Sequence, residues 1–424
     1  MNLLKTLFLS KDKLFNYKYL SVAILAFIVF AVCSYFIGKS IVIYADFTVF
    51  WQAGKNYLSG VSLYSGIGGA ERYIYPPFAA MCFQLLALFS LHQAAAIYCF
   101  INFLFWVMII YYTKQILLLT GFNPKQINYA LLIAFGLSFR YFLYHITFVQ
   151  MNETVLLLSL AGVYNFLIGK RNVAITLLVV ATFIKIIPIF ILIWLLSKCN
   201  YKQYAIAFVG FVVCIALPLL MRGLTQGFID LQEYYTSFLE PFQHGRVEPK
   251  LQNYGLSAAL YKVFSVTDDG NKYQYIITLL STQTIHIIYK SIIVFLLIGF
   301  ILIVWPFKAK NNPIYIHEIC FILMFTHLLS GITWEYHLVS LFFVIAVLVL
   351  DYFNADKKHK WLYYLLGIFL LFNAIIGTDT VGRYLYYKSC GFSLLTWLLL
   401  VLAIYALYQY LFVKRISFVT KTSL

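Results

Sequence analysis

Asp46 sits where an acid is costly. The chain carries only 15 acidic residues, and this one is flanked by Tyr44, Phe47, Phe50 and Trp51. Most loop aspartates are simply solvated. A carboxylate in an apolar interfacial setting is expensive and tends to be functional, and desolvation makes it a better base. The chemistry that suits such a group is that of a general base.

Lys185 is the second candidate. It lies within VVATFIKIIPIF, deep in apolar sequence. Snorkelling or pairing with an acid would explain it blandly. A cation at a helix break inside a membrane cavity is also what a phosphate seeks, and Pro188 supplies the break by removing a backbone donor. Gln150 and Asn152 form a polar step between two apolar runs and read equally well as an ordinary loop. The stretch Ser330 to His337 holds Trp334, Glu335 and His337. Trp and Tyr at a span end are usually belt residues, but a belt does not account for Glu335 and His337. Asn253, in LQNYGLSAALY, reads locally as a cap or turn residue.

Several common chemistries lack their motifs. There is no HExxH, P-loop or GxGxxG, and the SGIGG glycines (Gly66, Gly68, Gly69) open no Rossmann unit. No acid pair has the DxD spacing that holds a nucleotide-sugar metal. The seven cysteines form no CxxC pair, so neither a zinc site nor a disulfide framework is indicated. No metal and no cofactor is expected.

The elements that must position these residues are membrane helices. The chain of 424 residues is 63% hydrophobic and 11% charged, against roughly half and a quarter in soluble domains. Long apolar runs without dyad alternation predict an all-α polytopic membrane protein rather than a barrel. The net charge of +16 collects in short loops between apolar runs, which is an orientation signal. It is not a nucleic-acid footprint, and no nucleic-acid partner is expected.

Thirteen apolar segments can be counted, beginning with an uncleaved one at about 19–38 and including short ones at about 77–91, 172–184 and 186–197. Both termini read as cytoplasmic, which requires an even number of crossings. One early segment then fails to span, with 77–91 the first suspect, leaving about twelve membrane segments, some short or re-entrant. The pair flanking Lys185 reads as running down and back. The chain is expected to be one integral-membrane domain over 1–424. A first extracytoplasmic loop at 39–76 carries Asp46, and a long one spans 222–273.

The order of these blocks resembles glycosyltransferase family 87, of the polytopic GT-C fold class. Asp46, Phe47, Phe50, Trp51, Ala53, Gly54, Gly60, Leu63, Tyr64, Tyr75, Pro76, Pro77 and Phe78 match its D-F-x-x-F-W-x-A-G…G…L-Y…Y-P-P-F signature. Gln150-x-Asn152 is similar to its G-Q-x-N, with Val149 in place of the glycine. Lys185 and Pro188 are similar to K-x-x-P, and Asn253 to the Asn of an outer-loop element. Ser330, Trp334 and His337 are similar to S-P-x-S-W-x-x-H, with Gly331 for the proline. The resemblance covers roughly residues 40–345.

It implies inverting transfer of a hexose, mannose first among the expectations, from a polyprenyl-phosphate sugar to a hydroxyl of a lipid or glycan acceptor. The setting would be the extracytoplasmic face of a bacterial cytoplasmic membrane, among membrane lipids. Asp46 would be the base, with Lys185 and His337 on the donor phosphate. Gln150, Asn152, Asn253, Trp51, Tyr75, Trp334 and Glu335 would contact sugar or acceptor. A lipid-linked glycan flippase would share the cationic cavity and aromatic rims. It would need no single placed acid, and internal repeats, common in transporters, are not seen.

Overall fold

The computed structural model describes residues 45–64, 73–243, 245–267, 271–305, 314–356, 360–413 and 418. The expected first segment near 19–38 lies outside these residues. So do Gly66, Gly68 and Gly69 and the basic runs at Lys308/Lys310, Lys357-Lys358-His359 and Lys414/Arg415.

The described chain is helical, with no β-strand among its described residues. Helix α1 is Ala45–Ser59 and α2 Pro77–Phe83; α3 is Leu91–Leu118, α4 Pro124–Phe148, α5 Asn152–Leu167, α6 Arg171–Ile184 and α7 Ile189–Leu196. Then follow α8 Tyr201–Met221, α9 Leu224–Tyr234, α10 Leu256–Phe264, α11 Thr282–Val304, α12 Ile316–Leu329 and α13 Leu341–Asn354. The last three are α14 Lys360–Ile375, α15 Thr378–Gly391 and α16 Leu394–Tyr408.

Six of the described helices are long and apolar enough to cross a bilayer, or seven if α14 and α15, bent by 104°, count as one broken span. About twelve membrane segments are therefore not reached among the described residues. α6 and α12 are apolar but only 14 residues long, about 21 Å of helix against a core of about 30 Å. The segment expected near 77–91 becomes the seven-residue α2 and a 3-10 turn at Leu86–Leu88, so no continuous helix of crossing length forms there.

Burial sorts the helices. α12 and α13 form the centre, α12 packing along α16 and α13 along α4, while α5 packs between α3 and α6. α8 turns Phe208, Val209 and Val213 outward, as a lipid-facing helix should. The polar residues of the central α12 are each paired. His317 Nε2 lies 2.9 Å from Asp351, Glu318 accepts from the Trp194 indole at 2.6 Å, and His327 Nε2 lies 2.7 Å from Ser340 Oγ. Unpaired polar groups would be costly at that depth.

Candidate active site

The Asp46 block is built as a packing unit. Phe47, Phe50, Ala53 and Tyr57 are buried on one face of α1, the face a 3.6-residue period produces. Phe50 stacks on Phe83 and meets Tyr75 edge-on, with ring centroids 5.1 and 5.2 Å apart. Gly54 lets the two helices touch: a Cβ there would come within 2.7 Å of the Phe83 carbonyl oxygen. Gly60 turns the chain at φ +74°, a conformation that glycine adopts without strain. Tyr64 then donates to the Tyr75 carbonyl at 2.7 Å, and Tyr73 to that of Pro76 at 3.1 Å. Burial raises the pKa of both phenols, which keeps them neutral donors. Pro77 starts α2 at the one helical position that tolerates it.

Arg222 locks the far end of α1. Its guanidinium pairs with Asp230 at 2.7 Å and donates to the carbonyls of Asn56, Tyr57 and Val61. All of this sets the position of one residue, Asp46, in the first turn.

Gln150 comes to Asp46 from the corner between α4 and α5. Val149 ends α4 in the left-handed region at φ 48°, ψ 56°, a conformation glycine takes far more readily than a β-branched residue. The Asn102 amide donates to the Gln150 carbonyl at 2.8 Å, and the Gln150 backbone N–H donates to the His145 carbonyl at 3.2 Å. His145 Nε2 also accepts the Glu153 N–H at 3.1 Å. Held in this way, the Gln150 side-chain amide donates to Asp46 Oδ2 at 2.5 Å.

Lys185 lies in the break between α6 and α7. Its backbone is extended, at φ −152°, ψ 129°, and Pro188 precedes the next helix. The ammonium donates to Asn152 Oδ1 at 2.7 Å, lies 3.1 Å from His337 Nε2 and sits 5.8 Å over the Tyr75 ring. His337 stands in a 3-10 turn, Glu335–Ser340, and its Nδ1 accepts the Trp334 N–H at 3.2 Å.

Of the ten candidate residues, Asp46, Tyr75, Gln150, Lys185, Trp334 and His337 line one cavity of about 1140 Å³. Asn152 stands behind Lys185 and orients it. The other three are engaged elsewhere. The Trp51 indole donates to the Phe89 carbonyl at 3.1 Å. Asn253 is fully buried and spends both ends of its amide on backbone: it donates to Glu248 and Gly331 and accepts from Gly255 and Thr333. It clamps two loops and does not face the cavity. Glu335 turns the other way, accepting from Arg140 at 2.7 Å, Tyr254 at 2.8 Å and Tyr386 at 3.0 Å.

Sequence reading missed Arg140, Arg222 and the cavity wall on α11. For Arg140 the signal was present, as a charge in the middle of the apolar run 127–145.

The arrangement offers one carboxylate oriented by an amide and, in the same cavity, a cation beside an imidazole. A carboxylate able to act as a base and an anion-stabilising pair in one cavity suit displacement of an anionic leaving group by a hydroxyl. No curated protein and no solved structure matches the chain. The family model described as glycosyltransferase family 87 matches residues 73–331, more than half of the chain. Gln150, Lys185 and Asn253 fall within the match; Asp46 and His337 lie outside it. The chain belongs to glycosyltransferase family 87.

Proposed function

We propose that the protein transfers a hexose, mannose being the first candidate, from a polyprenyl-phosphate sugar to a hydroxyl of a lipid or glycan acceptor. The anomeric configuration inverts, and the site opens at the extracytoplasmic face of a bacterial inner membrane. Asp46 takes the proton of the attacking hydroxyl as its oxygen bonds to the anomeric carbon. The bond from that carbon to the phosphate oxygen breaks, and polyprenyl phosphate leaves with the electron pair. Lys185 and His337 stabilise the charge gathering on that phosphate. Gln150 aims the Asp46 carboxylate, and Tyr75 and Trp334 offer faces for a sugar ring.

One observation carries this reading. Asp46, Gln150, Lys185 and His337 come from four separate stretches of chain and line the same cavity. The test supplies purified protein in liposomes with labelled polyprenyl-phosphate mannose and a panel of lipid and glycan acceptors. Label moving to an acceptor supports the transferase. Intact lipid crossing the bilayer with no transfer would replace it with a flippase.

A further inference from the structure

The cavity has a second polar wall that the scheme above does not use. It belongs to α11, a helix otherwise apolar enough to cross a membrane. Thr282, Gln283, His286, Tyr289 and Lys290 of α11 all line the cavity. Their spacing of one, four, seven and eight residues is one helical face, and it runs about 12 Å down the helix. On the turns below, Val294, Phe295 and Ile298 are exposed apolar residues. The polar groups of α11 are thus gathered where it borders the cavity.

Lys290 is exposed, and among the described residues no carboxylate or hydrogen-bond acceptor pairs with it. An unpaired ammonium within a membrane helix is expensive unless water or an anion compensates it. Lys185, by contrast, is buried and held by Asn152 and His337. His286 is oriented by Tyr261, whose hydroxyl lies 3.2 Å from its Nε2. Among the described residues Asp46 is the only carboxylate on the cavity wall, against Lys185, Lys290 and Arg246, and Arg246 has its own partner in Glu248. With Asp46 set against Lys185, Lys290 is the cation that remains among the described lining residues for an added anion. Ile186, Ile187, Phe190, Phe238 and Leu239 also line the cavity and give an apolar chain a surface to lie on.

We propose that Lys290, with His286 and Gln283, forms an anion subsite for the phosphate of a lipid-linked substrate, separate from the Lys185–His337 pair. The lipid-linked nature of the ligand rests on the transferase reading; the anion subsite rests on the α11 face. The phosphate has two possible sources, a second, acceptor lipid or the donor itself.

The experiment titrates the full chain in detergent with a long-chain polyprenyl phosphate, counts bound molecules by native mass spectrometry, and uses the unphosphorylated polyprenol as control. Lys290→Gln should weaken phosphate binding about tenfold or more, and Lys290→Arg should restore most of it. Two phosphates bound to the unsubstituted protein, one of them lost in Lys290→Gln, identify a second lipid beside the donor. One phosphate bound, and lost in Lys290→Gln, makes the donor's own phosphate the occupant and overturns the donor-phosphate role given above to Lys185 and His337. Lys290→Gln titrating like the unsubstituted protein overturns the subsite, as does polyprenol binding as tightly as its phosphate. Because Lys290 is exposed, its variants should elute as the parent does in size exclusion. A chain that keeps the subsite yet moves no sugar to any acceptor would refute the transferase reading alone.

Discussion

Replacing Asp46 with asparagine removes one proton acceptor and its negative charge while keeping the shape of the side chain. The Gln150 amide donates to Asp46 Oδ2, and an asparagine carbonyl can accept the same hydrogen bond, so the side chain keeps its direction. The packing that places the residue, Phe47 and Phe50 against their neighbours and Gly54 against Phe83, is untouched. The loss should therefore fall on the chemical step. A positioned general base is worth about 10²–10⁴ in rate, or about 3–5 kcal/mol of barrier. Donor binding should change little. Gln150→Ala keeps the base and loses its orienting bond, a hydrogen bond to a charged group worth about 1.5–3 kcal/mol. Its kcat should fall by about ten- to a hundredfold, less than in Asp46→Asn, and the double variant should be no slower than Asp46→Asn alone. The assay is single-turnover transfer from labelled donor in proteoliposomes, with donor affinity measured separately. An Asp46→Asn protein that turns over within tenfold of the parent would refute the base assignment and the geometry argued for it.

Other outcomes follow from the same structure. Lys185→Ala and His337→Ala should each lower kcat/KM for the donor by about tenfold or more; unchanged donor affinity and rate in both would take them out of the site. Arg140→Leu leaves the Glu335 carboxylate buried without its cation and should cost about 3–5 kcal/mol, read as earlier thermal unfolding in detergent. Adding Glu335→Leu should recover part of that loss, and no recovery would argue against the ion pair as its source. Gly54→Val drives a side chain into the Phe83 carbonyl and should cost about 1–3 kcal/mol along with transfer activity, measured on the same preparations. Full activity there would show that α1 and α2 need not touch.

Much of this molecule is legible along the chain because its causes are local. Apolar runs forced helices; Pro77 opened one of them, a left-handed turn at Val149 ended another, and extended backbone at Lys185 ended a third ahead of Pro188. An acid among aromatics pointed to chemistry because its cost arises from its immediate neighbours. Partner choice is not local. Asn253 and Gln150 look alike as loop amides, yet one is consumed by four backbone groups and the other reaches Asp46 across 104 positions. Glu335 and His337 are two residues apart, but a 3-10 turn sends one to Arg140 and the other to Lys185. The α11 face was invisible for the same reason. One lysine and one histidine on an apolar helix pass for snorkelling residues until folding lays that face along the cavity holding Asp46. Helix period and breaks are set within a few residues; which polar groups share one cavity is set by how distant helices pack.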